Sequence, residues 1–281
     1  MKYFKYTAIL FMLVIGVTSC TKHELLYDTT EVDSTMTEFQ LHYFAPVVND
    51  AANYIDSVFV NGILYSSVRG SGQLQPYNGV PGGTVGRFFA IKSGNTNFQF
   101  YRKDVIVYDY NVELKSGKQN VFVYDFTKAP IVIDNGYPYR DKYNTGATVA
   151  GWDTDSIATV RFYNFLYEDA TNPYKGKIQY QYQDYRTKEW MNFGEPVGFG
   201  EATERIEIVV VKETFNSQGT RRVDYRMLDE NGDILRIRNS AGGMVDYSDW
   251  WNSTIGRATM HIFAGIRTLE PRASVRTWTN L

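Results

Sequence analysis

Cysteine, histidine and net charge are scarce in this chain, and each scarcity closes off a chemistry. There is one cysteine in 281 residues, Cys20, so no disulfide can form within the chain. The three histidines, His23, His42 and His261, are far apart and no H-E-x-x-H pair occurs, so the usual zinc spacing is missing. There is no G-x-S-x-G elbow for a serine nucleophile. Gly70-Ser71-Gly72 lacks the third glycine of a dinucleotide fingerprint, and the run from Gly79 to Gly86 lacks the Gly-Lys-Ser/Thr ending of a phosphate loop. Asp229, Asn231 and Asp233 have the spacing of a calcium loop, but Ile234 stands where that loop needs glycine. They read as a hairpin turn. No cofactor, metal or catalytic residue is expected, and the chain is expected not to be an enzyme.

The formal charge is −2. Without the first twenty residues, which hold Lys2 and Lys5 and no acid, 27 bases stand against 31 acids, a charge of −4. That balance speaks against nucleic acid as a partner.

Patterns of helical period are few. Aromatic residues are plentiful instead: 22 tyrosines, 17 phenylalanines and 5 tryptophans beside 23 glycines. Aromatic enrichment with frequent turn residues points to sheet.

The N-terminus carries an address. Lys2 and Lys5 precede an almost wholly apolar run from Thr7 to Val17. It fits a signal-peptide core and falls short of the roughly twenty apolar residues a membrane span needs. Val17-Thr18-Ser19 then places small residues before Cys20, the pattern of a bacterial lipoprotein signal. The expectation is a signal peptide over residues 1–20, with Cys20 taking lipid on its sulfur and so making outer-membrane lipid the first partner. Each buried CH₂ contributes about 0.8 kcal/mol, so two or more acyl chains hold stably. Thr21, where an aspartate would retain the protein at the inner membrane, favours the outer membrane, and His23-Glu24 weakly favours the cell surface.

Residues 21–36 are polar and read as a tether. A first domain is expected over 37–128, a linker over 129–156 and a second domain over 157–281. In the first, Phe39–Phe44, Tyr54–Val60 and Ile63–Tyr65 read as strands, with Asn61-Gly62 as a tight hairpin turn. Val105–Phe126 reads as a period-2 hairpin turning at Lys115–Lys118, with Asp109, Asn111 and Glu113 on its wet face. The linker holds Tyr137, Tyr139, Tyr143 and Trp152, expected to pack between domains. In the second domain, Thr159–Phe165, Arg205–Lys212 (expected central), Val223–Leu228, Ile234–Arg238 and Thr259–Ile266 read as strands, and Val275–Trp278 as an edge strand. Ile178, Tyr180 and Tyr182 alternate with Gln179, Gln181 and Gln183. FQLHYFAP and TVRFYNFL open the two halves, and QNVFVYDF and TMHIFAGI close them, which reads as a degenerate duplication. The fold class expected is all-β: two tandem antiparallel immunoglobulin-like β-sandwich domains behind a lipoprotein signal peptide.

LHYFAPVVNDAANYIDSVFVNG, a strand with His followed by an Asp-containing strand ending in Asn-Gly, resembles the opening of a domain family of unknown function in bacterial envelope proteins. LKSGKQNVFVYDF is similar to the segment that closes it. Together with the lipoprotein signal, the chain resembles Bacteroidetes-type outer-membrane surface lipoproteins with tandem immunoglobulin-like domains. The resemblance covers residues 37–127; the second half lacks the Asp-strand-Asn-Gly signature. The family implies no catalytic residues.

The candidate binding stretch is aromatic. Asp246-Tyr247-Ser248-Asp249-Trp250-Trp251-Asn252 shows no strand alternation and follows glycines, so it reads as a loop. Rings exposed beside acids and amides suit sugars, because the ring stacks on C–H faces while the polar groups take the hydroxyls. Trp250, Trp251, Tyr247 and Asp249 are the expected ligand residues, with a polysaccharide or an envelope protein as ligand. The competing reading is that a tryptophan here plugs the sandwich. His42 and His261 have the look of equivalent positions in two copies; a shared site would need the fold to bring them together. The function expected is a non-catalytic surface binding or adhesion accessory, the alternative a structural part of a fimbria-like or layer-like assembly. A hydrolase with paired carboxylates stands third.

Overall fold

Alternation of apolar and polar side chains over short segments dictates strands, and strands form nearly all the regular structure. The computed structural model describes residues 33–67, 73–80, 88–135, 155–211, 220–254 and 257–279. In the first half the strands are β1 (Met36–Tyr43), β2 (Ser57–Val60), β3 (Ile63–Ser67), β4 (Asn78–Gly79), β5 (Phe89–Lys92), β6 (Gly94–Arg102), β7 (Val105–Leu114), β8 (Gly117–Val123) and β9 (Ile131–Asp134). The second half has β10 (Asp155–Tyr167), β11 (Gln179–Gln183), β12 (Trp190–Asn192), β13 (Ile206–Val211), β14 (Thr220–Leu228), β15 (Arg236–Arg238), β16 (Met244–Asp246), β17 (Ser248–Thr254), β18 (Ala258–Ile266) and β19 (Ser274–Thr279). A single 3₁₀ turn, Ala51–Asn53, is the one helical element among the described residues.

Each half is a sandwich of two sheets, and the chain is all-β as expected. The first pairs an outer sheet of order β3-β2-β6-β7 with an inner sheet of order β4-β1-β8-β9, to which β5 adds on β1. The second pairs an outer sheet, β12-β11-β14-β17, with an inner sheet, β13-β10-β18-β19. The strand orders match, so the loose likeness between the halves is a likeness of topology. In both, the opening strand lies parallel to the next-to-last strand, β1 on β8 and β10 on β18, while the other pairings are antiparallel.

Three cores fill the unit from Val32 to Leu281. The first lies within the first sandwich, where Phe39, Leu41 and Tyr43 meet Val58, Phe98, Phe100 and Tyr108. The last lies within the second, where Val160, Phe162 and Phe263 meet Tyr180, Val223, Tyr225 and Trp251. Between them a middle core joins the two inner sheets: Phe44, Tyr77 and Phe122 against Tyr163, Phe165, Met260, Ile262 and Trp278. Strands of the inner sheets are therefore buried on both faces, which is why QNVFV and TMHIFAGI show no wet face and even Gln119, Asn120 and His261 are buried. Hydrogen bonds cross the junction. Asn120 Nδ2 donates to the Tyr163 hydroxyl at 3.2 Å, and the Tyr167 hydroxyl donates to the Tyr124 carbonyl at 3.0 Å.

Several sequence expectations change here. Residues 105–126 do not form a hairpin: β7 pairs with β6 in the outer sheet, and β8 pairs with β1 and β9 in the inner one. The turn at Lys115–Gly117 carries the chain across the core, and alternation on both sides of a turn cannot distinguish a hairpin from a change of sheet. The true hairpin turns at Lys103-Asp104, both at positive φ. Asn61-Gly62, at φ 50° and 75°, makes the tight turn the dipeptide predicts. β13, expected central, is an edge strand, and the central strands are β10 and β18. β19 is the edge strand expected at the end of the chain. The segment expected as a linker contributes β9, whose Ile131 and Ile133 pack on the middle core. The signal peptide, Cys20, the tether up to Val32, and Tyr137, Tyr139, Tyr143 and Trp152 lie outside the described residues.

Candidate functional site

The expected aromatic loop is a strand, and strand geometry divides its residues between two faces. β17 pairs with β14 in the register Asp224↔Trp250 and Val223↔Trp251. Successive side chains point to opposite faces, so Trp251 enters the last core at 7% exposure while Trp250 stands out at 47%. Trp251 packs edge-on to the His261 ring at 4.7 Å. Tyr247 is 6% exposed, with its hydroxyl 3.3 Å from that of Tyr225 and accepting the Val275 amide at 3.0 Å. Burial pushes the Tyr247 phenol up to about 12, so it stays a neutral hydrogen-bonding group. Trp251 and Tyr247 are thus corrected from ligand residues to core residues. Asp249 is exposed but opposite Tyr225, on the other side of the strand from Trp250. Of the four expected residues, only Trp250 lies on the open outer face.

That face holds other residues that complete a surface. β14 alternates buried Val223, Tyr225 and Met227 with outward Arg222, Asp224 and Arg226. β11 pairs Gln181 with Arg226, and β12 pairs Asn192 with Gln181 and Trp190 with Gln183. Continuing the β11–β14 register sets Gln183 opposite Asp224. The result is two adjacent cross-strand rows. One runs Trp190, Gln183, Asp224, Trp250; the other runs Asn192, Gln181, Arg226, Ser248. Three inter-strand steps place the two tryptophan positions about 14 Å apart.

The rows are tied together. Gln181 Nε2 donates to Asn192 Oδ1 at 2.7 Å, and Arg226 Nε donates to Gln181 Oε1 at 2.8 Å. The Arg226 guanidinium lies 4.4 Å from the centre of the Trp190 ring, and that of Arg222 lies 4.9 Å from the Trp250 ring. Such cation–π contacts contribute about 0.5–1 kcal/mol at exposed sites. Each sets a guanidinium over a ring face. Arg222 Nε also donates to Asp224 Oδ1 at 2.9 Å. Chemically the face offers two tryptophan rings for C–H stacking and carboxamide, guanidinium and carboxylate groups for hydroxyls.

The histidines are not brought together. His42 lies on β1 and faces the middle core, stacked on Phe122 at 4.6 Å and edge-on to Trp278 at 5.4 Å. His261 lies on β18, a closing strand, and faces the last core, where its Nδ1 is 3.0 Å from the Tyr180 hydroxyl. The two are not equivalent positions. Burial lowers His42 to about 4 and His261 to about 3. The Asp229 carboxylate accepts the amides of Asn231 and Asp233 at 2.9 and 3.1 Å, closing a turn. Among the described residues no cluster of three metal-ligating side chains occurs, and no helix is long and apolar enough to cross a membrane.

Trp190, Arg222, Asp224 and Arg226 are not among the residues expected from the sequence. The signal for three of them is the alternation of RRVDYRM, which begins two residues before the expected strand Val223–Leu228 and lies within β14. Trp190 had none, because β12 is three residues long.

No family model matches the chain, and no curated protein matches it. Among solved structures it aligns with the Bacillus anthracis TIE protein at 5% identity and a TM-score of 0.21, over 82% of this chain and 34% of that one. It also aligns with a streptococcal ancillary pilin at 12% identity and a TM-score of 0.16, over 77% of this chain and 59% of that one. The chain thus spans about a third of the length of the first and three-fifths of the second. At these scores the likenesses carry no argument about what the chain does.

Proposed function

We propose that this chain is a lipid-anchored, non-catalytic binding protein of the bacterial outer membrane, displayed at the cell surface, and that it binds polysaccharide on the outer face of the β12-β11-β14-β17 sheet. The address rests on the pattern around Cys20, and the plan is that of Bacteroidetes-type surface lipoproteins with tandem immunoglobulin-like domains. The observation that carries the binding reading is the pair of tryptophans on one cross-strand row, beside a second row made only of polar side chains. A span of about 14 Å across four strands fits an oligosaccharide segment rather than one sugar ring. Affinity electrophoresis of the full chain through gels of host and plant polysaccharides tests it. Retardation by one polymer, lost in Trp190→Ala/Trp250→Ala with thermal stability kept, supports the face; no retardation across the panel sinks it. The anchor is tested separately by palmitate labelling, which Cys20→Ala should abolish, and display by protease accessibility on whole cells.

A second reading, a part of a surface assembly, draws on β19 at the edge of its sheet. Trp278 of that strand is 1% exposed in the middle core, so giving β19 to a neighbour would empty that core. The edge suits accepting a strand better than donating one. Crosslinking on intact cells that traps only monomer would remove this reading.

A further inference from the structure

Beside the tryptophan face, a cleft of about 450 Å³ opens between the β15–β16 ribbon and the turn that leads into β19. Its walls carry three arginines, Arg238, Arg272 and Arg276, and two acids, Asp246 and Glu270. Each acid has a partner, one within the cleft and one outside it. Glu270 pairs with Arg272 at 3.5 Å, and Asp246 with Arg236 at 3.7 Å. Arg238 and Arg276 have no carboxylate partner among the described residues. The Nε of each is buried without a hydrogen-bond partner. Those two nitrogens are enclosed and lie out of a ligand's reach; what marks the cleft is two guanidinium groups without a carboxylate, where a negative group would gain charge-assisted hydrogen bonds. Arg276 also lies 5.2 Å from the Tyr77 ring centre and lines a second cleft of about 340 Å³, toward Asn49 and Asn78 of the first half.

The position of the cleft narrows the ligand. Ser248 lines it, and Ser248 is also the residue opposite Arg226 at the end of the polar row. A polymer lying along that row and continuing past β17 reaches the arginine pair. On the tryptophan face itself Arg222 is paired with Asp224 while Arg226 has only neutral partners, Gln181 and the Trp190 ring, so the face carries one unmatched guanidinium and the cleft two.

We propose that this cleft is an anion subsite of the polysaccharide surface, in which Arg238 and Arg276 take the carboxylate or sulfate group of an acidic sugar. This rests on the sheet face being a glycan surface. Planar guanidinium groups suit both anions, since each presents paired donors in a fixed fork.

The test uses the full chain in detergent and two matched polymer pairs: polygalacturonate against its fully methyl-esterified form, and dextran sulfate against dextran. The charged member of at least one pair should bind tenfold or more tighter than its neutral twin, with an advantage that shrinks as salt rises. Arg238→Gln/Arg276→Gln should bring the charged polymer down to the neutral level and leave neutral binding unchanged, while Arg276→Lys keeps part of the advantage. Equal binding of charged and neutral twins by the wild type, or a preference that survives in the double variant, overturns the subsite while the glycan face stands. If no polymer is retained, the face has failed, and thermal shifts with free galacturonate and with inorganic sulfate at matched ionic strength decide the cleft alone. A shift with either anion that is lost in the double variant upholds the cleft as an anion site. No shift with either, or one that survives in the double variant as an adventitious ion only, overturns it. A double variant that fails to fold is replaced by the two single glutamine variants, scored in the same way.

Discussion

Trp250 and Trp251 are neighbours in sequence with opposite environments, and substitution separates them. Trp251→Ala removes a ring from the last core and should cost about 3–5 kcal/mol of stability, read by urea unfolding. Trp250→Ala removes an exposed ring and should change stability by no more than about 1 kcal/mol while weakening polysaccharide retention at least tenfold. The reverse order would place the wrong ring on the face. The histidines make a second residue-level prediction. His42 is surrounded by Phe44, Asn120, Phe122 and Trp278, and His261 by Tyr180, Tyr225 and Trp251, with no charged group facing either ring in these contacts. Both stay neutral in the fold down to about 4 and about 3. The unfolded chain binds their protons near pH 6.5, so below that value the unfolded state holds more protons than the folded one and stability falls with pH. The loss approaches about 1.4 kcal/mol per pH unit for each imidazole and levels off below the folded values. His42→Phe should reduce the drop in unfolding free energy between about pH 7.5 and 5.5. An unchanged drop in the variant would mean that His42 is not held neutral.

Elements show where local signals suffice. Asn61-Gly62 sets its own turn because both residues take positive φ at little cost, and β14 displays its two faces as a strict alternation. Inner strands behave differently. β18 is buried over all nine of its residues, so alternation disappears and the sequence cannot say which side chain enters which core. Gly265, near the end of β18, has φ +116°, and a Cβ there would sit 2.5 Å from the Arg272 carbonyl oxygen and 2.8 Å from the Ala273 Cα. Backbone approaches that closely on the turn into β19. Gly265→Ala should therefore cost more than the roughly 1 kcal/mol of an ordinary glycine replacement and loosen the β18–β19 pairing, visible as faster amide exchange over 274–279. Exchange unchanged from wild type would show that the turn can give way.

For the whole molecule, the middle core is the decisive feature. Phe122 and Phe165 meet across it with ring centroids 4.4 Å apart, and each belongs to a different sandwich. Two sandwiches that share a core should unfold together, with the calorimetric and van't Hoff enthalpies agreeing. Phe165→Ala should destabilise by about 3–5 kcal/mol and split the melt into two steps. Two steps already present in the wild type would mean the sandwiches are independent. The same core bears on how the chain is used. It holds the first half to the sandwich that carries the tryptophan face, and Arg276 stands where the two halves meet.

The sequence by itself determined what local chemistry can determine: strands rather than helices, the tight turns, the wet and dry faces of strands such as β7 and β14, the edge strand at the end, and a repeated plan in the two halves. A side chain's period depends only on its own strand. The tertiary structure decided which strands are partners, that Lys115–Gly117 changes sheets instead of closing a hairpin, that Asp246–Asn252 is mostly strand, and that Trp190 and Trp250 share a row while Trp251 is buried. Pairing joins residues dozens of positions apart, and a strand buried on both faces shows no alternation. A surface built across four strands therefore exists only once those strands have found one another.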